Sequence, residues 1–314
     1  MRGAGGARRV IGLRLVEAVV VLLVLASVVF FALRLVPGDP AALILGDQAG
    51  PAELAKLRAR LHLDESLPLQ YVRFLRGLVT LDLGDSLRRP GVPALRRVGE
   101  ALGPTGALAG VAVGLGSVAG VALALLAVGP WLGERRRWID RGLVTVAAVP
   151  LLSFAPVLTY ALSAKLRLVP LPGDPDAGVS GLLFASALLA VPLAAQVGRT
   201  GRAALAEVAP LPFLTVAAAK GATNARIWLV HALPVASGPI VTVVATQLGA
   251  LLGGAVVLER LFERWGLGTL ILEAYSSRDL PVLEGAVVAS GAIFVFVQTL
   301  AVAVHAAVDA RARR

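Results

Sequence analysis

The fold class that this sequence predicts is an all-α, polytopic membrane protein with six transmembrane helices. Two observations predict it. Of 314 residues, 57% are hydrophobic and 16% are charged, with a mean hydropathy of +0.80, whereas a soluble domain carries about 25% charged residues. The apolar residues also gather in six long runs, each near the ~20 residues that a helix needs to cross hydrocarbon. These runs are Leu15–Val36, Leu102–Val128, Leu143–Ala164, Val179–Val197, Val235–Leu258 and Gly285–Val308. Runs of this length exceed strands, and in lipid the backbone must bond to itself, so their many valines do not argue for β structure.

Taken in order, the first run follows four arginines between Met1 and Arg14. That start resembles a signal peptide, but the run is too long for a signal's apolar region, and it reads as an uncleaved first helix. Glu17 and Arg34, near its two ends, are expected to snorkel toward the interfaces. In the second run Gly110, Gly114, Gly116 and Gly120 are small residues that let helix backbones approach closely, as do Gly249 and Gly253 in the fifth. Pro150 and Pro156 are expected to bend the third helix, and Pro192 the fourth, with neighbouring helices satisfying the freed carbonyls.

Charge sets the expected orientation. The segments before Leu15, between runs 2 and 3, between runs 4 and 5 and after Val308 carry 15 Arg and Lys residues. The opposite side carries 14, but 9 of these lie in Pro37–Glu100. Loops of about 60 residues translocate largely regardless of charge, so the short loops decide, and both termini are expected in the cytoplasm. The same basic loops account for the net charge of +10 without nucleic acid.

Several chemistries find no support. There is no cysteine, and His62, His231 and His305 lie far apart in sequence, so neither disulfides nor a metal site is expected. No Gly-x-x-x-x-Gly-Lys-Ser/Thr loop is present, and Gly114-x-Gly116 sits inside a span without a preceding strand, so no nucleotide or other cofactor site is expected. An ion-coupled secondary transporter is the alternative reading, but it calls for an acid or an interrupted helix at the midplane, and runs 2 to 6 carry no central charge. An intramembrane enzyme calls for a converging nucleophile and base, and the spans offer none at helical spacing. The energy source is therefore expected on another chain.

Two loops carry information. Pro37–Glu100 is too long for a connector. Within it, Pro51–His62 reads as a helix with Leu54, Leu57 and Leu61 on one face, and Leu69–Leu78 as a second amphipathic piece. The expected organisation is residues 1–36 as N-terminus and first helix, 37–100 as an external cap, and 101–314 as the core, including a cytoplasmic loop at 198–234. In that loop Phe213–Lys220 reads as a short helix stopped by Gly221, with a second helix starting near Thr223 and running past Pro234 into the membrane. A short helix, a glycine and a second helix make a knob suited to a groove in a partner protein.

The segment Ala217-Ala218-Ala219-Lys220-Gly221, followed by Ile227 and Ala232-Leu233-Pro234, resembles the cytoplasmic coupling loop of ABC-importer permeases. More narrowly, the chain resembles the dipeptide/oligopeptide/nickel permease family, through Gln247-Leu248-Gly249, Leu252-Gly253-Gly254-Ala255-Val256-Val257-Leu258-Glu259, Phe262, Gly266-Leu267-Gly268 and Arg278-Asp279-Leu280-Pro281. The N-terminal part agrees through Leu33-Arg34-Leu35-Val36-Pro37-Gly38-Asp39-Pro40, Gln70-Tyr71 and Asp82-Leu83-Gly84-Asp85-Ser86. The resemblance implies the type I ABC-importer permease fold in the bacterial inner membrane, and a peptide-like solute. It also implies four partners besides the bilayer: a second permease subunit, two ATPase subunits and an extracytoplasmic solute-binding protein. It implies coupling through Ala217–Gly221 with Ile227, Leu233 and Pro234, and a motif or pore-mouth role for Glu259, Gly253, Gly254, Gly266, Gly268, Asp279, Pro281 and the Pro37, Gly38, Asp39, Pro40 stretch. The chain departs from the family pattern at Pro212, Thr215 and Ala218, where an acid and arginines are usual. It departs again at Trp265, where proline is usual, and at His62 and Leu81, where glycines are common.

Overall fold

The computed structural model describes residues 3–35, 39–45 and 50–312. Among them all regular structure is helical, apart from one β-bridge between Asp85 and Pro93. Five helices contain stretches long and apolar enough to cross a membrane: Val16–Arg34, Ala94–Val128, Pro175–Val208, Asn224–Leu248 and Leu280–Leu300. The third apolar run is not one straight span: it falls in a pair of helical limbs bent by 105°, which counts as a sixth crossing only when the two are taken together. The limbs, Gly133–Ala148 and Ser153–Lys165, contain α6 (Arg136–Ala148) and most of α7 (Leu151–Thr159). The break falls at Val149 and Pro150, which are both extended, because the residue before a proline is pushed out of the α region. Pro156 lies within α7, which passes directly into a π-helical turn, Tyr160–Lys165.

The other long helices are α1 (Gly3–Arg34), α5 (Ala94–Val128), α8 (Gly178–Val208), α11 (Leu233–Leu261) and α13 (Leu280–Ala312). Several outrun their apolar stretches. The expected loop at 198–234 opens with eleven residues that instead prolong α8 to Val208. Its buried residues there are Gly198, Gly201, Ala204, Leu205 and Val208. Their three-to-four spacing is the stripe of an amphipathic helix, beside which Arg199 and Arg202 stay exposed.

The chain divides into two compact units. The first is Gly106–Arg264 with stretches of both chain ends. Its core is centred on α8, whose Leu188, Leu189, Leu193 and Val197 meet Leu108 and Ala112 of α5 and Leu251, Ala255 and Leu258 of α11. Close approach of α5 and α8 requires two of the four glycines singled out in α5. A Cβ on Gly116 would lie 2.8 Å from Leu193 Cδ2, and one on Gly120 2.6 Å from Val197 Cβ. Gly110 and Gly114 have open space beside them.

The second unit is Gly12–Thr105 with Trp265–Phe296. Here α3 (Pro51–Arg60) and α4 (Leu67–Thr80) form as the periodicity predicts. Helix α4 packs on α1 through an aromatic cluster, with Phe30 5.2 Å from Tyr71 and 5.4 Å from Phe74 between ring centroids. A second cluster joins Val98 and Ala101 of α5 to Leu267, Leu270 and Ala274 of α12 (Leu267–Ser276) and to Val282 and Ala286 of α13.

His62 and Leu81, the two residues at glycine-favouring positions, both have left-handed backbones, with φ of 55° and 56°. Each ends its helix where a Cβ crowds the following carbonyl. Leu81 is 70% exposed, so it recovers little of that strain by packing. Leu81→Gly is expected to stabilise the protein by up to about 1 kcal/mol, read as a rise in apparent Tm in detergent. Gly120→Leu is expected to cost about 1–3 kcal/mol by overpacking, whereas Gly110→Ala leaves Tm unchanged. Equal effects of the two glycine substitutions would contradict the close α5–α8 contact.

Candidate functional site

The polar turn before α11 is built from local signals. Leu211 is extended and Pro212 takes the first helical position of α9 (Pro212–Ala219), where its missing N–H costs nothing. Gly221 stops the helix with φ of 81°, its N–H donating to Ala218 O at 2.9 Å, while Ala222 N–H donates to Ala217 O at 3.1 Å. Thr223 then caps a single turn, α10 (Asn224–Arg226), its Oγ1 accepting from Arg226 N–H at 3.4 Å. A π-helical turn, Ile227–Ala232, joins this to α11, with Leu233 and Pro234 at the start of α11.

Only one side of α9 is anchored. Leu214 is buried with Ile227, Ala232, Leu205 and Ala124, and Ala217 packs against that cluster. Phe213 and Val216 are 39% and 52% exposed, and Ala218, Ala219, Lys220 and Gly221 are exposed beside them. The predicted coupling residues therefore divide into an inner set, Ala217, Ile227 and Leu233, and an outward set, Ala218, Ala219, Lys220 and Gly221.

In the second unit, two of the quoted motifs meet. Asp279 is fully buried. It accepts a short hydrogen bond from Ser86 Oγ and one from Leu87 N–H at 3.0 Å. Arg97 Nη1 lies 3.6 Å from Asp279 Oδ2, and Arg97 Nη2 donates to Glu273 Oε1 at 3.0 Å. The Arg97 side chain is 3% exposed. One buried carboxylate thus fastens the Asp82–Ser86 turn, the start of α5 and the start of α13. Sequence reasoning quoted Ser86 and Asp279 separately and missed Arg97, whose position ahead of an apolar run was the available signal.

A second ion pair corrects the expectation for Arg34. Instead of snorkelling, it donates to Glu284 Oε1 at 2.7 Å, to Phe30 O at 3.0 Å and to Gln70 Oε1 at 3.3 Å. Its guanidinium lies 3.4 Å above the Phe30 ring centroid. Glu284 and Pro281 line a cavity of about 410 Å³ together with Arg34, Gln70 and Asp82. Asp39 caps the short helix α2 (Pro40–Leu45) by accepting from Ala41 N–H at 3.0 Å, and it pairs with Arg58 at 2.6 Å. Gly266 precedes α12 and Gly268 is buried within it. Glu259, in the last turn of α11, is 2% exposed. Pro37 and Gly38 lie outside the described residues, and of Pro40, Gly253 and Gly254 only the helical backbone is described.

Residues 110–314 match the family of binding-protein-dependent transport system inner membrane components, and residues 8–94 match the N-terminal model of such membrane components. The chain belongs to this family. It is 31% identical over 310 residues to a probable peptide ABC transporter permease protein of Sinorhizobium fredii, covering 96% of this chain and 97% of the relative. It is 30% identical over 300 residues to a glutathione transport system permease protein of Pectobacterium atrosepticum, covering 94% and 96%. It is also 30% identical over 329 residues to a dipeptide transport system permease protein of Alkalihalophilus pseudofirmus, covering 95% and 97%. The chain is therefore a multi-pass membrane permease of an ABC importer, not that importer's ATPase, and the ion-coupled carrier is not favoured.

In this permease Arg97 and Asp279 are expected to behave as a buried pair. Arg97→Met leaves the Asp279 carboxylate buried without its cation, which costs about 3–5 kcal/mol. Restoring neutrality with Asp279→Asn in the same chain is expected to return part of that loss. Apparent Tm for the two single variants and the double variant checks this. Additive losses would contradict the pairing.

Proposed function

We propose that this permease forms half of the translocation pathway for a peptide-like solute: a dipeptide, an oligopeptide or a nickel chelate. The names of its relatives support the first two classes, since they are a peptide, a glutathione and a dipeptide permease. In this reading both termini lie in the cytoplasm, residues 37–100 form an external cap, and a second, homologous permease completes the pathway. Two ATPase subunits bind on the cytoplasmic side and a solute-binding protein delivers cargo outside.

Coupling to the ATPases runs through Ala217–Gly221. The observation that carries this is the asymmetry of α9, which is anchored by Leu214 and presents Phe213 and Val216 uncovered beside Lys220. Apolar residues on an exposed, short and well-capped helix suit insertion in a groove. Push or pull on α9 passes through Leu214 and Ile227 into α8 and α11, which rock between outward and inward states. Asp279, Gly266, Gly268 and Pro281 serve as fasteners of the outer segments, and Glu259 has a structural role at the end of α11.

Gly221 gives the cleanest test. No atom lies within 4 Å of a Cβ placed there, so Gly221→Val strains the backbone at positive φ without a clash, by about 1–2 kcal/mol. In the reconstituted complex this variant is expected to lose most solute uptake while ATP hydrolysis persists. Uptake equal to the unsubstituted permease would refute the coupling role. Solute uptake by the purified permease alone, driven by a proton gradient, would refute the subunit reading altogether.

A further inference from the structure

We propose that the cleft between α6 and the polar extension of α8 binds the phosphate of an anionic phospholipid headgroup. The cleft has a volume of about 810 Å³ and includes Arg141, Thr145, Gln196, Arg199, Thr200 and Arg202 in its lining. It lies wholly within the first unit. Its only carboxylate is Asp140, which pairs with Arg202. The lining therefore carries a net charge of +2, an arrangement that repels cations and draws a phosphate.

Three further features point to a lipid rather than a soluble anion. First, α6 joins its partner limb at 105°. With α7 upright in the bilayer, α6 lies nearly along the membrane surface. Secondly, α6 has the make-up of an interfacial helix. Leu143 is its buried contact, seated where a Cβ on Gly198 would meet Leu143 Cδ2 at 2.7 Å. Outside, Trp138 is 67% exposed and Val144 57%. Thirdly, the aromatic and basic groups adjoin, because the Arg141 guanidinium lies 5.3 Å from the Trp138 ring centroid. Tryptophans sit at headgroup depth, and basic pockets between membrane helices take lipid phosphates there. Apolar Leu143 and Val144 also line the cleft, beside the space that acyl chains would occupy. A soluble anion has no use for that apolar wall. Arg135 and Arg136 add a local positive field for the same headgroups, while Arg137 pairs with Glu134. Lipid in this cleft would brace the break at Pro150 against α8, the helix that also anchors α9.

The experiment uses the full permease in its assembled complex, in detergent, with phosphatidylglycerol, phosphatidylcholine or inorganic phosphate added. Native mass spectrometry counts the lipid retained. The expected result is one phosphatidylglycerol held per chain in preference to phosphatidylcholine and not displaced by excess inorganic phosphate. Replacing both Arg141 and Arg199 by Gln should weaken retention by about thirtyfold, taking each arginine near a headgroup at its usual worth. Arg141→Lys with Arg199→Lys should keep most of it. Arg76→Gln, an exposed change in the other unit, should change nothing. Three outcomes would overturn the proposal: equal retention of phosphatidylcholine, displacement by inorganic phosphate, or no loss on removing both arginines. Protection of Arg141 and Arg199 by an ATPase subunit instead of lipid, seen as labelling that depends on that subunit alone, would also overturn it.

Discussion

Hydrocarbon offers a peptide group nothing to bond with, and the architecture of this permease follows from that constraint. Each N–H and C=O left open inside a bilayer costs several kcal/mol. The spans are therefore helical despite a residue mix rich in valine, and irregular backbone is confined to a few places. Pro104, Pro192 and Pro239 lie within continuous helices, whereas three other prolines sit at or near irregular backbone. Pro150 coincides with a full break between two limbs. Pro156 precedes a π-helical turn, and Pro234 is the second residue of α11, which follows another. A π turn shifts the bonding register by one residue, which re-pairs carbonyls near a missing donor and lets the helix change direction.

The same constraint governs charge. Buried ionisable groups are found at the ends of spans and in company. Asp279 has Ser86, Leu87 and Arg97 around it. Glu284 has Arg34. Desolvating such pairs costs about as much as their attraction returns, so they add little net stability. Their contribution is register: a carboxylate at the start of α13 accepts only if the Asp82–Ser86 turn and the start of α5 arrive in one arrangement. Two family motifs nearly two hundred positions apart are read by a single side chain. Each motif alone looks like a loop ornament.

Much of this was legible in the sequence, and the part that was not has a physical explanation. The six apolar runs marked the spans because composition over about 20 residues is a strong signal. The short helix, its glycine stop and the restart at Thr223 were legible because capping chemistry is local. Helix ends were not. Helix α8 continues to Val208 on a stripe of small residues between arginines, which a search for unbroken hydrophobicity passes over. The bent pair was legible only as a bend, since nothing local separates a kink from a right-angled break. The partners of Arg97 and Arg34 were not legible, because both pairings join residues far apart in the chain. His62 and Leu81 depart from the family pattern, and their left-handed backbones explain why glycine is common at those positions.

Helix α9 itself is eight residues long, well below the ~12–15 that hold a helix in water unaided. Its order must come from its ends and its one buried face. Pro212 fixes the entry, Gly221 the exit, and Leu214 ties the middle to the cluster around Leu205 and Ile227. A helix held this way cannot slide without moving what Leu214 touches, and what it touches is the polar end of α8 and the π turn leading into α11. On the proposed reading, that is the property a coupling element needs. Departures at Pro212, Thr215 and Ala218 fall on the exposed side or at the entry, so they alter what a partner meets while leaving the anchor intact. Specificity for the partner and transmission to the spans are thereby carried by different faces of one short helix.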